Sequence, residues 1–438
     1  MARFYDTLVK RRDCPPDCTA CEEACEARDG AAGSVIKAGD VHQVARSKNI
    51  TCYQCSQPLC MDACPSDAIV KSEEAGVVRV ISDNCIGCGS CVDACTYGNM
   101  FLDEDSQVAF KCEMCNGDPE CVKACPHEVL ELVGDSEKVR SHFITEDLFT
   151  SGVGLCSGCP IETISRITGK ILGDNVAFFG TPGCCSRITQ GIGMQASARV
   201  PCYFALMTNP TSTAAGAKRY YQKTSQDIMC VVMVGDGATA DVGLAGLSGA
   251  AERGENIIYI CIDNEAYMAT GIQSSGTTPF AAWTFTSPVG EYRDGKRNNS
   301  KYMPLIMADH GIPYTATATL SHLEDYALKL EKAKKVKDGM TYLHLFSPCY
   351  TGWRSPENSS VEISRMAVET NYFPLWECED GKYTLNYQPK NRLPIEEFTG
   401  TMGRFSHLKK EDIDHIQDMV DERFNLIVAL TKLDLKAK

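Results

Sequence analysis

Sixteen of the chain's 25 cysteines lie between Cys14 and Cys125, in four groups of four. The groups are Cys14, Cys18, Cys21 and Cys25; Cys52, Cys55, Cys60 and Cys64; Cys85, Cys88, Cys91 and Cys95; and Cys112, Cys115, Cys121 and Cys125. Thiols at this density either cross-link or bind metal, so the choice between the two decides how the segment is held. The opening residues, MARFYDTLVKRRDCPPDC, contain no apolar export signal. The expected compartment is therefore the reducing cytoplasm, where metal is a better expectation than disulfides.

The third group, CIGCGSCVDAC, has the spacing C-x2-C-x2-C-x3-C of bacterial ferredoxins. In that arrangement three thiolates on a tight loop hold one [4Fe–4S] cluster, and the fourth, one helical turn on, reaches a second. Pro65 and Pro126 follow the last cysteine of two groups, again as in that signature. Zinc sites instead pair two C-x2-C units across a longer gap and need no fourth cysteine at x3. The match is loosest in the first group, which opens with a three-residue gap, and the second and fourth have longer central gaps. At four ligands per cubane the sixteen thiols make four clusters. The segment resembles the four-cluster ferredoxin-like electron-transfer subunits of bacterial oxidoreductases. That resemblance implies a small α+β domain over residues 1–137 whose clusters form a wire for electrons. It also implies mixed ligation, the outer two cysteine groups pairing with each other and the inner two likewise.

Cysteine density then falls to background; residues 138–148 read as a linker and 149–438 as a second domain. A length of 438 residues and a hydrophobic fraction of 44% suit a globular protein of two or three domains. The net charge of −14 argues against nucleic acid as a partner. No apolar run is long enough to cross a bilayer.

The second domain reads as α/β. DIMCVVMV is a buried strand, GDGATADVGLAGLSGAAERG a glycine turn opening a small-residue helix, and NIIYICIDN a second buried strand. Such a right-handed unit binds ligands at the carboxyl ends of its strands. Gly235 and Gly237 let an anion approach the helix N-terminus. Asp236 between them makes sense if a divalent cation bridges its carboxylate to phosphates, with Asn264, 28 residues on, facing the same ion.

This pair is similar to the thiamine diphosphate motif. Together with LCSGCPIETISRI, TPGCCS, DNEAYMATGIQSSGTTP, SPCYTGW and the tail PLWECEDGKYTLNYQPKNRLPIEEFTGTMGRF, it resembles the β subunit of 2-oxoacid:acceptor oxidoreductases, the pyruvate:ferredoxin oxidoreductase family. The resemblance implies a mainly parallel sheet flanked by helices that binds thiamine diphosphate and Mg²⁺. Its Mg²⁺ ligands are Asp236, the Asn264 side chain and the Ala266 carbonyl. It makes Cys156, Cys159, Cys184 and Cys349 the ligands of a fifth [4Fe–4S] cluster beside the thiamine ring. Cys185 could compete with Cys184, while Cys230 and Cys261, inside apolar strands, are most simply core residues. The activity implied is oxidative decarboxylation of a 2-oxoacid to an acyl-CoA and CO2. Partner subunits of α, γ and δ type, and an acceptor protein or NAD-reducing subunit, are implied with it. The glutamate that activates thiamine and the arginine that receives the substrate carboxylate are expected on the α partner.

The chain departs from that family in three places. Pro160 follows the second cysteine of the C-x-G-C pair where glycine is usual, and Val153 stands where histidine commonly precedes it. Pyruvate enzymes read Asn-Thr-Gly where this chain has Ala269-Thr270-Gly271, next to the thiazolium and substrate. The smaller, apolar Ala269 suits a bulkier 2-oxoacid such as phenylglyoxylate. A β subunit with a ferredoxin domain fused in front also resembles the phenylglyoxylate dehydrogenases of this family. The competing expectations are a pyruvate or other 2-oxoacid enzyme, an electron-transfer subunit without catalysis, and a non-oxidative thiamine decarboxylase. The last leaves twenty cysteines unexplained.

Overall fold

Short apolar runs without polar alternation become the interior strands of one eight-stranded sheet. The strands are β1 (Val176–Gly180), β2 (Cys202–Phe204), β3 (Met229–Gly235), β4 (Ile258–Asp263), β5 (Tyr314–Thr319), β6 (Thr341–Phe346), β7 (Trp376–Glu379) and β8 (Lys382–Leu385). Their order is β8-β7-β5-β6-β4-β3-β1-β2. β7 and β8 are antiparallel additions at one edge, and the other pairings are parallel. Every residue of β4, β5 and β6 is buried, as parallel strands covered on both faces require.

The computed structural model divides the chain into two compact units, Met1–Ser141 and His142–Lys438. It describes residues 7–10, 14–29, 35–36, 41–42, 51–52, 54–55, 58–72, 77–95, 98–133, 147–150, 152–188, 198–389 and 391–433. Most of the expected linker 138–148 lies outside them.

In the second unit, β3 leads through α3 (Leu244–Glu252) into its parallel neighbour β4, with Ile262 beside Gly235. The two strand ends therefore lie side by side. Entry to α3 is not a simple helix N-terminus: residues Gly237–Asp241 form a π-type turn first, a distortion often found at functional sites. Helices α1 (Pro160–Leu172) and α2 (Pro210–Lys223) precede them in the chain. One core gathers Phe179, Val232, Val234 and Tyr259 with Leu247 and Ala250 of α3. A second gathers Phe346, Trp353, Phe373, Phe398 and Phe405.

The first unit is made of small pieces. Three two-stranded pairs, Thr7–Lys10 with Leu130–Val133, Ile69–Lys71 with Val78–Val80, and Phe101–Leu102 with Ala109–Phe110, are all antiparallel. Four-residue helices at Leu59–Asp62, Ser90–Asp93 and Glu120–Lys123 each carry a cysteine of the repeat. The unit is thus α+β, with cysteines inside its two small cores.

Candidate active site

Loops leaving the carboxyl ends of β1, β3 and β4 line one cleft, because parallel strands end on the same side of a sheet. β1 contributes residues 181–185, β3 residues 235–238, and β4 Asn264 and residues 266–270. Asp236 is 1% exposed. Burial, and then the Asp263 carboxylate, raises its carboxyl well above the usual range. Thr277 Oγ1 lies 3.1 Å from Asp236 Oδ2 and 2.8 Å from Asp263 Oδ1, and its single proton serves only one of them at a time.

The Asn264 amide oxygen faces two more oxygens, Ala266 O at 2.7 Å and Asp236 Oδ1 at 3.2 Å. Without a cation the amide is satisfied only when rotated, so that Nδ2 donates to both. With a cation the unrotated oxygen is the correct group. Neighbouring ligands on an octahedral Mg²⁺, each about 2.1 Å from the ion, stand ~3 Å apart. A carboxylate, an amide oxygen and a carbonyl are also the hard donors this ion takes, so the residues fit it.

Glu265, between Asn264 and Ala266, has φ +61° in the left-handed region. Its N–H donates to Asp263 Oδ1 at 2.8 Å, and its carboxylate accepts from Tyr372 Oη at 2.7 Å and Arg404 Nη2 at 2.5 Å. Arg404 lies 3.7 Å over the Trp353 ring, and Trp353 Nε1 donates to Asn264 O at 3.0 Å. Asp263 Oδ2 is 2.9 Å from His344 Nε2, and His344 Nδ1 is 2.7 Å from Tyr342 Oη. Sequence reasoning assigned no role to Asp263, Thr277, His344, Trp353, Tyr372 and Arg404. A histidine inside the buried strand TYLHLF was the one local signal for this network.

The two glycines have different jobs. A Cβ on Gly237 would lie 2.2 Å from Tyr267 Cε1, so its missing side chain admits that ring rather than an anion. A Cβ on Gly235 would meet nothing within 4 Å, and the space there is open. Ala269 and Thr270 are exposed where they line the cleft, with Thr270 Oγ1 donating to Gln273 Oε1 at 2.5 Å.

Cys184 lines the same cleft as Asp236. Burial pushes the Cys159 thiol up to about 12, with Cys184, Cys349 and Cys156 adding to it. Burial, then Cys349 and Cys156, raises Cys184 to about 11. Four sulfurs from three separate loops thus lie within electrostatic reach of one another. Gly158 (φ +73°) sits in their first turn, where a Cβ would lie 2.3 Å from the Glu357 carbonyl oxygen. Pro160 occupies the first position of α1, where its missing N–H costs nothing. Cys185 is buried beside this group, burial raising its thiol well above its usual range.

A family model described as the thiamine pyrophosphate enzyme C-terminal TPP binding domain matches residues 182–345. One described as a 4Fe-4S dicluster domain matches residues 46–135. The NADH-dependent phenylglyoxylate dehydrogenase subunit beta of Aromatoleum evansii is 37% identical over 443 residues, which cover 99% of this chain and 99% of that one. The chain belongs to the β-subunit family of 2-oxoacid:ferredoxin oxidoreductases. Pyruvate synthase subunit PorB of Methanothermobacter thermautotrophicus is 44% identical over 63% of this β subunit and 96% of its own length. Ketoisovalerate oxidoreductase subunit VorB of Pyrococcus furiosus is 39% identical over 69% of this chain and 99% of its own.

In the first unit of this β subunit, three cavities are each lined by four cysteines drawn from two sequence groups. One has Cys52, Cys55, Cys60 and Cys95; the next Cys64, Cys85, Cys88 and Cys91; the third Cys25, Cys112, Cys115 and Cys121. Burial raises Cys21 to about 11, with Cys14 and Cys125 adding to it, and Cys18 lies on the turn between Cys14 and Cys21. Three cysteines of one group therefore meet the fourth of another. Backbone N–H groups point at several sulfurs: Ala68 to Cys64 and Ala109 to Cys85 at 3.3 Å, and Val129 to Cys125 at 3.2 Å. Such N–H···S contacts favour the thiolate form that iron needs.

Proposed function

We propose that this β subunit oxidatively decarboxylates a bulky, aromatic 2-oxoacid of the phenylglyoxylate kind to its acyl-CoA and CO2, and passes the electrons out through five [4Fe–4S] clusters. The observation that carries the oxidative reading is that Cys184 and Asp236 line one cleft. An electron acceptor held by Cys184 stands beside whatever Asp236 anchors. Thiamine diphosphate, when bound, supplies the carbon nucleophile and electron sink for the decarboxylation.

The chain's own residues bind and orient. Asp236, Asn264 and the Ala266 carbonyl would hold Mg²⁺, and the open space at Gly235 would admit the diphosphate. Cys156, Cys159, Cys184 and Cys349 hold the adjacent cluster. The four mixed cysteine sets of the first unit hold the others, with Cys14, Cys18, Cys21 and Cys125 as the fourth set. Ala269 and Thr270 border the substrate at the cleft mouth. The full-length similarity to a phenylglyoxylate dehydrogenase subunit, and the apolar Ala269, support the aromatic substrate. The PorB and VorB similarities in the cofactor-binding region support pyruvate or a branched-chain oxoacid as the second reading.

Catalysis requires α, γ and δ-type partners and a protein or NAD-reducing acceptor. Among the described residues no helix is long and apolar enough to cross a membrane; a cytoplasmic location is part of the proposal. Dye reduction by the co-purified complex, with and without CoA, across phenylglyoxylate, pyruvate, 2-oxoglutarate, indolepyruvate and branched-chain oxoacids tests this. CoA-dependent reduction that is fastest with phenylglyoxylate is expected. Preference for pyruvate overturns the substrate assignment, and a purified complex free of thiamine diphosphate overturns the reaction.

A further inference from the structure

We propose that Lys111 is a fixed buried charge that gives the centre ligated by Cys52, Cys55, Cys60 and Cys95 a higher reduction potential than the two centres bordering it. Electrons then rest there on their way through the first unit. The inference stands on the reading of the four-cysteine cavities as [4Fe–4S] sites.

Lys111 is 4% exposed and lines the Cys52, Cys55, Cys60 and Cys95 cavity. Its Nζ donates to the Cys112 carbonyl at 2.9 Å and to Gln54 Oε1 at 3.4 Å. Gln54 is itself buried, takes the left-handed region (φ +50°), and donates to the same Cys112 carbonyl at 2.7 Å while accepting from Val78 N at 2.9 Å. The ammonium is therefore anchored by backbone and amide groups, and among the described residues no carboxylate pairs with it. A buried ammonium with no carboxylate partner is a position that an anionic cluster would suit. Lys71 brings a second cation to the same centre, with Nζ donating to the Cys55 carbonyl at 3.1 Å.

The neighbouring cavities differ in charge. The lining of the Cys64, Cys85, Cys88 and Cys91 cavity contains no charged side chain. The Cys25, Cys112, Cys115 and Cys121 cavity is lined by Glu113, whose Oε1 accepts from Val80 N at 3.0 Å. Lys111 and Glu113 flank Cys112 in sequence yet border different cavities. Adding an electron makes a cluster more negative, so a nearby cation stabilises the reduced form and a nearby anion opposes it.

The test is an EPR-monitored redox titration of the purified complex, with Cys55→Ser and Cys88→Ser variants identifying which signals belong to which centre. Lys111→Gln is expected to lower the one-electron equilibrium constant of the Cys55 centre about tenfold, ~59 mV. The Cys88 centre is expected to move far less, and Lys111→Arg to restore the wild-type value. A Cys55 centre that is present but unmoved in Lys111→Gln, or an equal shift of every centre, overturns the proposal while leaving the cluster reading intact. If Lys111→Gln loses that centre, Lys71→Gln carries the test, with a downward shift of the same signal expected and no shift overturning the proposal. Absence of the centre from the wild-type complex, by iron and spin content, overturns the cluster reading and the proposal with it.

Discussion

A carboxylate at Asp236, buried beside Asp263, is comfortable as an anion only with a cation against it. Its folded-state pKa lies above the unfolded value, so between the two the native state holds a proton that the unfolded chain has released. Cation-free stability therefore falls as pH rises through that window. If Mg²⁺ displaces the same proton, its affinity rises with pH. Titration of Mg²⁺ in the presence of thiamine diphosphate should then give tighter binding at higher pH, by up to about tenfold per pH unit. Asp236→Asn should weaken binding and flatten the dependence, and a slope retained in that variant assigns the proton to another group. At Ala269 the expected change concerns shape. Ala269→Asn adds a polar side chain at the cleft mouth and should depress kcat/KM for phenylglyoxylate roughly tenfold more than for pyruvate, as one or two lost apolar contacts allow. Equal losses on both substrates, measured side by side, count against the pocket argument.

The loop between β4 and Ala269 is where sequence and structure part company. The strands β3 and β4 were legible because parallel strands buried on both faces must be apolar throughout. Asp236 and Asn264 were legible because strand ends collect functional groups. The left-handed turn at Glu265 was not legible, since it is held by Tyr372 and Arg404, 107 and 139 residues away. The role of Gly237 was misread for the same reason, because the ring that fills its space belongs to Tyr267. Glu265 and Arg404 form an ion pair whose side chains are 7% and 2% exposed. Removing one partner of such a pair leaves an uncompensated buried charge worth about 3–5 kcal/mol. Arg404→Met should therefore destabilise the second unit by about that amount in denaturant titration, and Arg404→Met with Glu265→Leu should recover most of it. A double variant no more stable than the single one would mean that Arg404 acts mainly through its stacking on Trp353.

The two units differ in what holds them. His142–Lys438 buries an eight-stranded sheet between helices and has large apolar cores of its own. Met1–Ser141 has no described strand longer than four residues and no described helix longer than ten. Cysteines Cys21, Cys91 and Cys121 lie within its small cores, and other repeat cysteines pack against them. The spacing of the cysteines revealed that metal organises this unit. Spacing alone did not reveal which groups share a site, because that is decided by the packing of segments far apart in the chain; the pairing came from the family resemblance. A unit whose core is lined by its ligands takes most of its folding free energy from binding iron, so iron removal should act on one unit only. Anaerobic chelation of the complex should expose Met1–Ser141 to limited proteolysis and fast amide exchange, while the strands β3 to β6 stay protected. Loss of protection in both units together would mean that a centre proposed at Cys156, Cys159, Cys184 and Cys349 is as necessary to the sheet as those proposed in the first unit are to that unit.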